Sequence, residues 1–484
     1  MQQKSELPEG WEFVSFGDIL EINPSKPPKN IVSPDTPVTF VPMPAVDAVS
    51  GEITDPEVRP FSEVRKGYTA FRNDDVILAK ITPCMENGKA AVVRNLLNNL
   101  GFGSTEFIVF RSKGAILPDY LYHFIHQESY RKLAESNMTG SVGQKRVPKD
   151  FVQNSSIPLP PLPEQYRIVS AIEALFARLD ATNEKLDRVP EILKRFRESV
   201  LAAAYNGILT EDWRKTNPIS LDELLNQSLC MEKRSNYISE SNELPMSWIL
   251  TKVGKITSRV QYGTSVKADA DETNGIPILR MGNIQDGKLD FTDLKYISYD
   301  NEDIPSFYVQ QGDILFNRTN SPELVGKCAV VNIDINAIFA SYLIRIRCLS
   351  DILLSDYLSW WIMSPYGRKW AQFARTDGVS QSNINASKLK SLLIPLPPFP
   401  EQHEIVRRVD ALFAFADSIE TKVKAAMEKT EKLRQSILTK AFSGELVETE
   451  AEIARKEGRD YETAEVLIER IKEERRKSGK KVQV

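Results

Sequence analysis

"IPLPPLPEQ", residues 157–165, returns as "IPLPPFPEQ" at residues 394–402. Each time a long amphipathic run follows. Proline is disfavoured inside a helix but tolerated in its first turn, so Pro163 and Pro400 mark helix starts. Glu164 and Glu401 come next, where a carboxylate suits the positive end of the helix dipole. The upstream prolines keep the chain extended. A PxxP ligand for an aromatic groove would not need a helix behind it in both copies.

Outward from this phrase the repeat covers the whole chain. Pro158 pairs with Pro395, an offset of 237 residues. The same offset links Leu7-Pro8 and Trp11 to Leu244-Pro245 and Trp248, and Asp119-Tyr120-Leu121 to Asp356-Tyr357-Leu358. It also links Arg197 and Gly207 to Arg434 and Gly444. A one-residue shift aligns "DVIL" (75–78) with "DILF" (313–316) and "GKAAVV" (88–93) with "GKCAVV" (326–331). So long a period excludes a solenoid. It reads as duplication: a pseudo-twofold chain with two mixed domains, each followed by a helix.

The two helical runs carry a heptad seam. Ile168, Ile172, Leu175, Leu179, Thr182 and Leu186 lead into Val189, Leu193, Phe196 and Val200; Ile405, Val409, Leu412, Ala416, Ile419 and Val423 lead into Ala426, Thr430, Leu433 and Ile437. A 3.5-residue period implies left-handed supercoiling. Each seam needs a partner, and the other copy supplies it. The expectation is an antiparallel intramolecular coiled coil with the mixed domains at opposite ends. Pro190 should kink or split the first helix, and Gly207 and Gly444 are natural left-handed caps.

The fold class is therefore α+β, with two pseudo-twofold-related mixed domains separated by an antiparallel coiled coil. The segments are 1–157, a first mixed domain; 158–210, a central helical region; 211–242, a polar linker with some helix ("SLDELLNQSL"); 243–394, a second mixed domain; 395–446, a distal helical region; and 447–484, a charged tail. "DDVILAKIT", "KAAVVRN" and "STEFIVFR", with partners "GDILFNRT", "KCAVVNI" and "ASYLIRIR", read as short buried strands. "PDYLYHFIHQESYRKLAE" and "SDYLSWWIMSPYGRKWAQFA" read as helices opened by an acidic cap. Trp11 and Trp248 read as core anchors.

A hydrophobic share of 42% and a charged share of 26% over 484 residues suit a globular chain of several domains. No apolar run reaches membrane-spanning length, and the N-terminus has no apolar signal region, so the expected location is the cytoplasm. Cys84, Cys230, Cys328 and Cys348 are scattered, which argues against a disulfide framework. The net charge of −4 is not that of a free-standing nucleic-acid binder. An acidic chain can still be basic along one groove inside a larger assembly.

Catalytic signals are absent. The three histidines have no neighbouring ligands at metal spacing. There is no phosphate loop and no nucleophile elbow. An adenine methyltransferase needs a polar residue ahead of Pro-Pro-aromatic, and "LPPF" (396–399) puts leucine there. Strong architecture with empty chemistry points to recognition. The donor-rich loops are the candidates. "AKITPCMENGK" holds Lys80 and Lys89; "FNRTNSPELVGK" holds Asn317, Arg318, Asn320 and Lys327. "TGSVGQKRV" holds Gln144, Lys145 and Arg146; "TDGVSQSNI" holds Gln381, Ser382 and Asn383. Arg and Lys suit guanine edges and phosphates, and Asn and Gln suit adenine.

"PLPPLPEQYRIVSAIEALFARLD" and "PLPPFPEQHEIVRRVDALFAFAD", each ending in A-Y/F-x-G-x-L, resemble the helical regions of type I restriction-modification specificity subunits. "LPEGW" and "GDILFNRTNSPELVGK" resemble segments of their target-recognition domains, and the closing "LIERIKEERRKSG" is most similar to the type IA branch. The resemblance implies a subunit with no catalysis and no cofactor of its own. It implies two modification subunits using S-adenosylmethionine on adenine N6, two restriction subunits using ATP and magnesium, and a bipartite double-stranded DNA site whose spacer the coiled coil fixes. No base-contacting residue carries over, because recognition domains diverge. The rivals are a coiled-coil scaffold that never touches DNA, and a nuclease or methyltransferase with an unrecognised site.

Overall fold

The repeated proline phrase folds as a strand followed at once by a helix. Ser156–Leu159 pairs antiparallel with Glu12–Ser15, and Leu393–Leu396 pairs antiparallel with Ile249–Lys252. Both are two-stranded ribbons, where a proline that cannot donate is tolerated. The helices begin at Leu162 and Phe399, so Pro163 and Pro400 fall in the first turn. The Glu-Gln pair that follows is completely buried in both copies. Buried polar groups must be partnered, and these are. The Trp11 indole donates to Glu164 at 3.0 Å, and the Trp248 indole donates to Glu401 at 2.9 Å. Gln165 accepts from the Leu117 N–H and donates to the Ala115 and Pro160 carbonyls. Gln402 does the same with Leu354, Ile352 and Pro397. The glutamates thus do more than sit at a dipole: each fastens its helix to a tryptophan 153 residues earlier.

The computed structural model describes residues 7–28, 31–48, 50–141, 143–218, 244–268, 275–298, 304–379 and 381–481. Two compact units emerge, Met1–Leu186 with Ala425–Val484, and Asp187–Lys424. Each unit takes its mixed domain from one copy of the repeat and a helix end from the other.

In the first unit a four-stranded sheet has the order Leu20–Ile22, Phe107–Ser112, Val76–Ala79, Ala90–Val92. A second sheet runs Glu57–Pro60, Pro37–Val41, Gly101–Gly103, Thr69–Phe71, with its central pair parallel. The second unit repeats the first sheet as Thr257–Tyr262, Leu343–Cys348, Ile314–Asn317, Cys328–Val330. Its smaller sheet is Lys295–Ser298, Gly275–Leu279, Ile338–Phe339. The six strands read from the sequence are all present. A buried ion pair is repeated as well: Arg111 grips Asp75, and Arg347 grips Asp313. Trp11 and Trp248 lie in the cores.

Each helical run after the sheet is two helices rather than one, Pro118–Ile125 with Glu128–Ser136 and Ser355–Met363 with Pro365–Ala374. In the second run Ser364 takes an extended conformation and caps the new helix by accepting from the Gly367 N–H at 3.2 Å. Asp119 and Asp356 are not caps. They occupy the first turn, behind Leu117 and Leu354.

The first long helix does split where Pro190 demands it, into Leu162–Asp187 and Val189–Tyr205. Its counterpart, Phe399–Ser443, runs 45 residues unbroken. Within the first unit the pairing is antiparallel: Thr430 donates to Asn183 at 2.8 Å, and Arg434 pairs with Asp180 and lies 4.3 Å over the Phe176 ring. Within the second unit it is antiparallel too, with Arg197 on Asp417 at 2.7 Å and Arg408 on the Leu209 carbonyl at 2.7 Å. The seam drifts from the strict heptad. Thr182 is exposed and Asn183 faces the partner; Leu433 is 43% exposed, and Leu438 is buried. A straight helix of 3.6 residues per turn slips in this way against a 3.5 pattern.

Gly207 and Gly444 have φ of 83° and 79° and end their helices as caps. Gly207 lies against Pro245, and Gly444 against Pro8. The charged tail is docked: Glu450–Glu457 and Ala464–Lys481 bury Ala451, Ala454, Leu467 and Ile471 in the first unit. Of the 211–242 segment, Glu211–Thr216 is helical; residues 219–242, with the "SLDELLNQSL" helix, lie outside the described residues. Cys84, Cys328 and Cys348 are free thiols, and Cys230 lies outside the described residues. No described helix is long and apolar enough to cross a membrane.

Candidate nucleic-acid interface

In each unit the fold brings the two donor-rich loops together. The first loop leaves the end of a central strand, Val76–Ala79 or Ile314–Asn317, and returns along the next one. The second loop follows the helices and folds back on it. In the first unit the Val147 N–H donates to the Lys80 carbonyl at 2.9 Å, and Arg146 bridges both Ile81 and Thr139. In the second unit the Ile384 N–H donates to the Arg318 carbonyl at 2.9 Å. There Asn383 pairs with both Thr319 and Thr376. The same small ladder stitches the same two loops in both copies.

Side chains differ on this shared frame. In the first unit Lys80 donates to the Thr105 carbonyl at 2.8 Å, and Lys89 donates to the Met43 carbonyl at 3.0 Å. Arg146 forks onto Glu106 at 2.8 and 2.9 Å and holds that carboxyl below its ordinary range. Gln144 and Lys145 are exposed at the tip. In the second unit Arg318 lies 4.7 Å over the Tyr262 ring, and its Nη1 donates to the Ser341 carbonyl at 3.2 Å. The Asn320 side chain accepts from the Ser321 N–H, and Asn383 donates to Thr319 at 2.8 Å. Lys327 is half-buried and Gln381 exposed.

Asn317 and Ser382 are fully enclosed. Ser382 donates to Asp377 and braces the second loop, whereas both amide atoms of Asn317 lack a partner among the described residues. Glu106 and Tyr262 were not singled out by sequence. Neither carries a local signal, since each acts on a residue 40 or more positions away.

This frame has known relatives. The family model for the type I restriction modification DNA specificity domain matches residues 8–191 and 250–429, and the chain belongs to that family. It is a type I restriction-modification specificity subunit and, like its relatives, a non-catalytic member of the system. The EcoKI specificity subunit of Escherichia coli K12 is 34% identical, covering 84% of this chain and 82% of that one. The EcoBI specificity subunit of Escherichia coli is 35% identical, covering 75% and 73%. The fold is that of the HsdS subunit from Thermoanaerobacter tengcongensis, with a TM-score of 0.60 at 22% identity over 92% of this chain and 99% of that one. A chain from a type I restriction-modification complex gives 0.62 at 24% identity over 91% and 100%.

Proposed function

We propose that this subunit reads a bipartite site in double-stranded DNA, one half with each loop pair. The supporting observation is the ladder that joins the same two loops in both copies while their side chains differ. A constant frame with variable donors suits two readers of different sequence. Lys80, Lys89, Gln144, Lys145 and Arg146 serve the first half-site. Arg318, Asn320, Lys327, Gln381 and Asn383 serve the second, with Asn317 and Ser382 shaping the loops beneath them.

The helical segments following each recognition segment set the length of the unread spacer and seat the partners, two modification and two restriction subunits. S-adenosylmethionine, ATP and magnesium belong to those partners. Their surfaces supply much of the phosphate neutralisation that a chain of net charge −4 does not. Exchange of residues 1–157 for a relative's equivalent, followed by sequencing of methylated adenines, tests this. One half-site should change and the other stay fixed. A change in both halves defeats the modular reading.

A further inference from the structure

We propose that Tyr262 is a specificity-determining positioning residue: its ring sets the plane of the Arg318 guanidinium so that the side chain reads a guanine in the second half-site. This rests on the reading of Arg318 as a base contact.

Tyr262 ends the strand Thr257–Tyr262, and Arg318 follows Ile314–Asn317; Leu343–Cys348 lies between those strands. The tyrosine is 40% exposed, an unusual place for a large ring with only a core role. Its two ends are both engaged at the loop cluster. The face carries the Arg318 guanidinium at 4.7 Å, and the hydroxyl accepts at 2.9 Å from the N–H of Ala386, which opens the short helix Ala386–Lys390 just after the second loop. The Arg318 backbone is fixed as well, with its N–H on the Tyr342 carbonyl at 3.0 Å and its carbonyl on Ile384 at 2.9 Å.

The head group is held but not neutralised. Arg146, Arg347 and Arg375 each pair with a carboxylate, whereas Arg318 has none among the described residues. Nη1 is taken by Ser341. Nε is enclosed without an acceptor, and Nη2 has no hydrogen-bond partner among the described residues. Nη2 is therefore left unpaired among the described residues, whereas Nε is closed off from solvent and meets an acceptor only when the side chain turns outward, which relieves the cost of an enclosed unpaired donor. Guanine presents O6 and N7 side by side on its major-groove edge, two acceptors at the spacing a guanidinium fork needs. A phosphate also accepts two bonds, but it carries no sequence information and yields a loss uniform over all sequences. A ring stacked beneath the guanidinium fixes its plane before DNA arrives and lowers the ordering cost of docking. Lys80 holds the matching place in the first copy and has no ring beneath it among the described residues, so the device belongs to the second half-site.

The test compares Arg318→Ala, Tyr262→Ala, Tyr262→Leu and Tyr262→Phe, each assembled with its modification partners, by sequencing methylated adenines across a genome. Arg318→Ala should lower discrimination at one guanine of the second half-site by about tenfold or more. Tyr262→Ala and Tyr262→Leu should relax that same position by about two- to fivefold, while Tyr262→Phe keeps the ring and the wild-type pattern. The first half-site, unchanged throughout, reports a folded complex. If Arg318→Ala relaxes a position that Tyr262→Leu leaves intact, the positioning role is wrong and the base reading survives. If Tyr262→Leu weakens every position of the second half-site equally, it acts on the loop and the role is again wrong. If Arg318→Ala relaxes no single position, the base reading itself falls and the inference falls with it.

Discussion

Glutamine in place of Glu401 removes one charge from the place where the second helix is fastened. The Glu401 carboxylate is fully buried and accepts three times: from the Trp248 indole at 2.9 Å, from the Thr210 hydroxyl at 2.7 Å, and from Arg214 Nη1 at 2.5 Å. A glutamine has one acceptor oxygen. If that oxygen stays on Trp248, its NH2 faces two donors; if it turns to Arg214, the indole is orphaned. Arg214, 18% exposed, loses its counter-charge either way. Breaking a fully buried pair from one side costs about 3–5 kcal/mol, and the residual exposure of Arg214 lowers this to about 2–4 kcal/mol. For a unit of this size that is a fall of about 4–15 °C in Tm.

Glu164→Gln is the comparison. Glu164 accepts from Trp11 and from the Glu450 N–H at 2.8 Å, with no arginine on the carboxylate itself, and burial already pushes its carboxyl up. The glutamine keeps one acceptor oxygen and loses one of the two contacts, about 1–2 kcal/mol. Differential scanning calorimetry of the two variants, with limited proteolysis to assign each transition to its unit, reads both values. Equal losses, or a larger loss for Glu164→Gln, would refute the role given to Arg214.

Burial pushes His123 and His126 down to about 4, so both are neutral in the folded first unit. Their contribution is complete above the unfolded value near 6.5 and is lost as pH falls towards 4, up to about 3 kcal/mol per ring. Acid titration should destabilise the first unit across that window, and His123→Phe should flatten the slope. Glu164, shifted up, contributes with the opposite sign, so Glu164→Gln should steepen it. Gly444→Ala places a Cβ 2.3 Å from the Pro8 ring at a φ of 79°, while Gly458→Ala meets open space at a φ of 65°. The first should cost about 2–4 kcal/mol and the second about 1 kcal/mol, measured by thermal melts. Equal costs would mean the contact with Pro8 carries no weight.

The duplication was legible because it recurs in phrases whose residue types are hard to replace: a proline at a helix start, a glycine at φ near 80°, a tryptophan in a core. The central strands were legible from continuous apolar runs. Other features were hidden because their partners are remote in sequence. The sheet built on Pro37–Val41 and Gly101–Gly103 joins strands sixty residues apart and as short as three residues. The Glu-Gln pair reads locally as helix-start chemistry, yet its Trp partner is 153 residues away. The seam's drift from Thr182 to Asn183 depends on how far the helix keeps 3.6 residues per turn against the 3.5 pattern, which the residue pattern does not state. At the loops the sequence named the donors but not what holds them, since Glu106 and Tyr262 have no periodicity or motif to betray them.

The first unit closes its core with Leu438, Ala441 and Phe442 and then with Leu467, all from the far end of the chain. The second unit is one continuous stretch, 187–424. During synthesis the second unit can therefore finish while the ribosome is still making the pieces the first one needs. The part made earlier must wait, its apolar seat open to chaperones, until the stretch from Leu438 to Leu467 has been made.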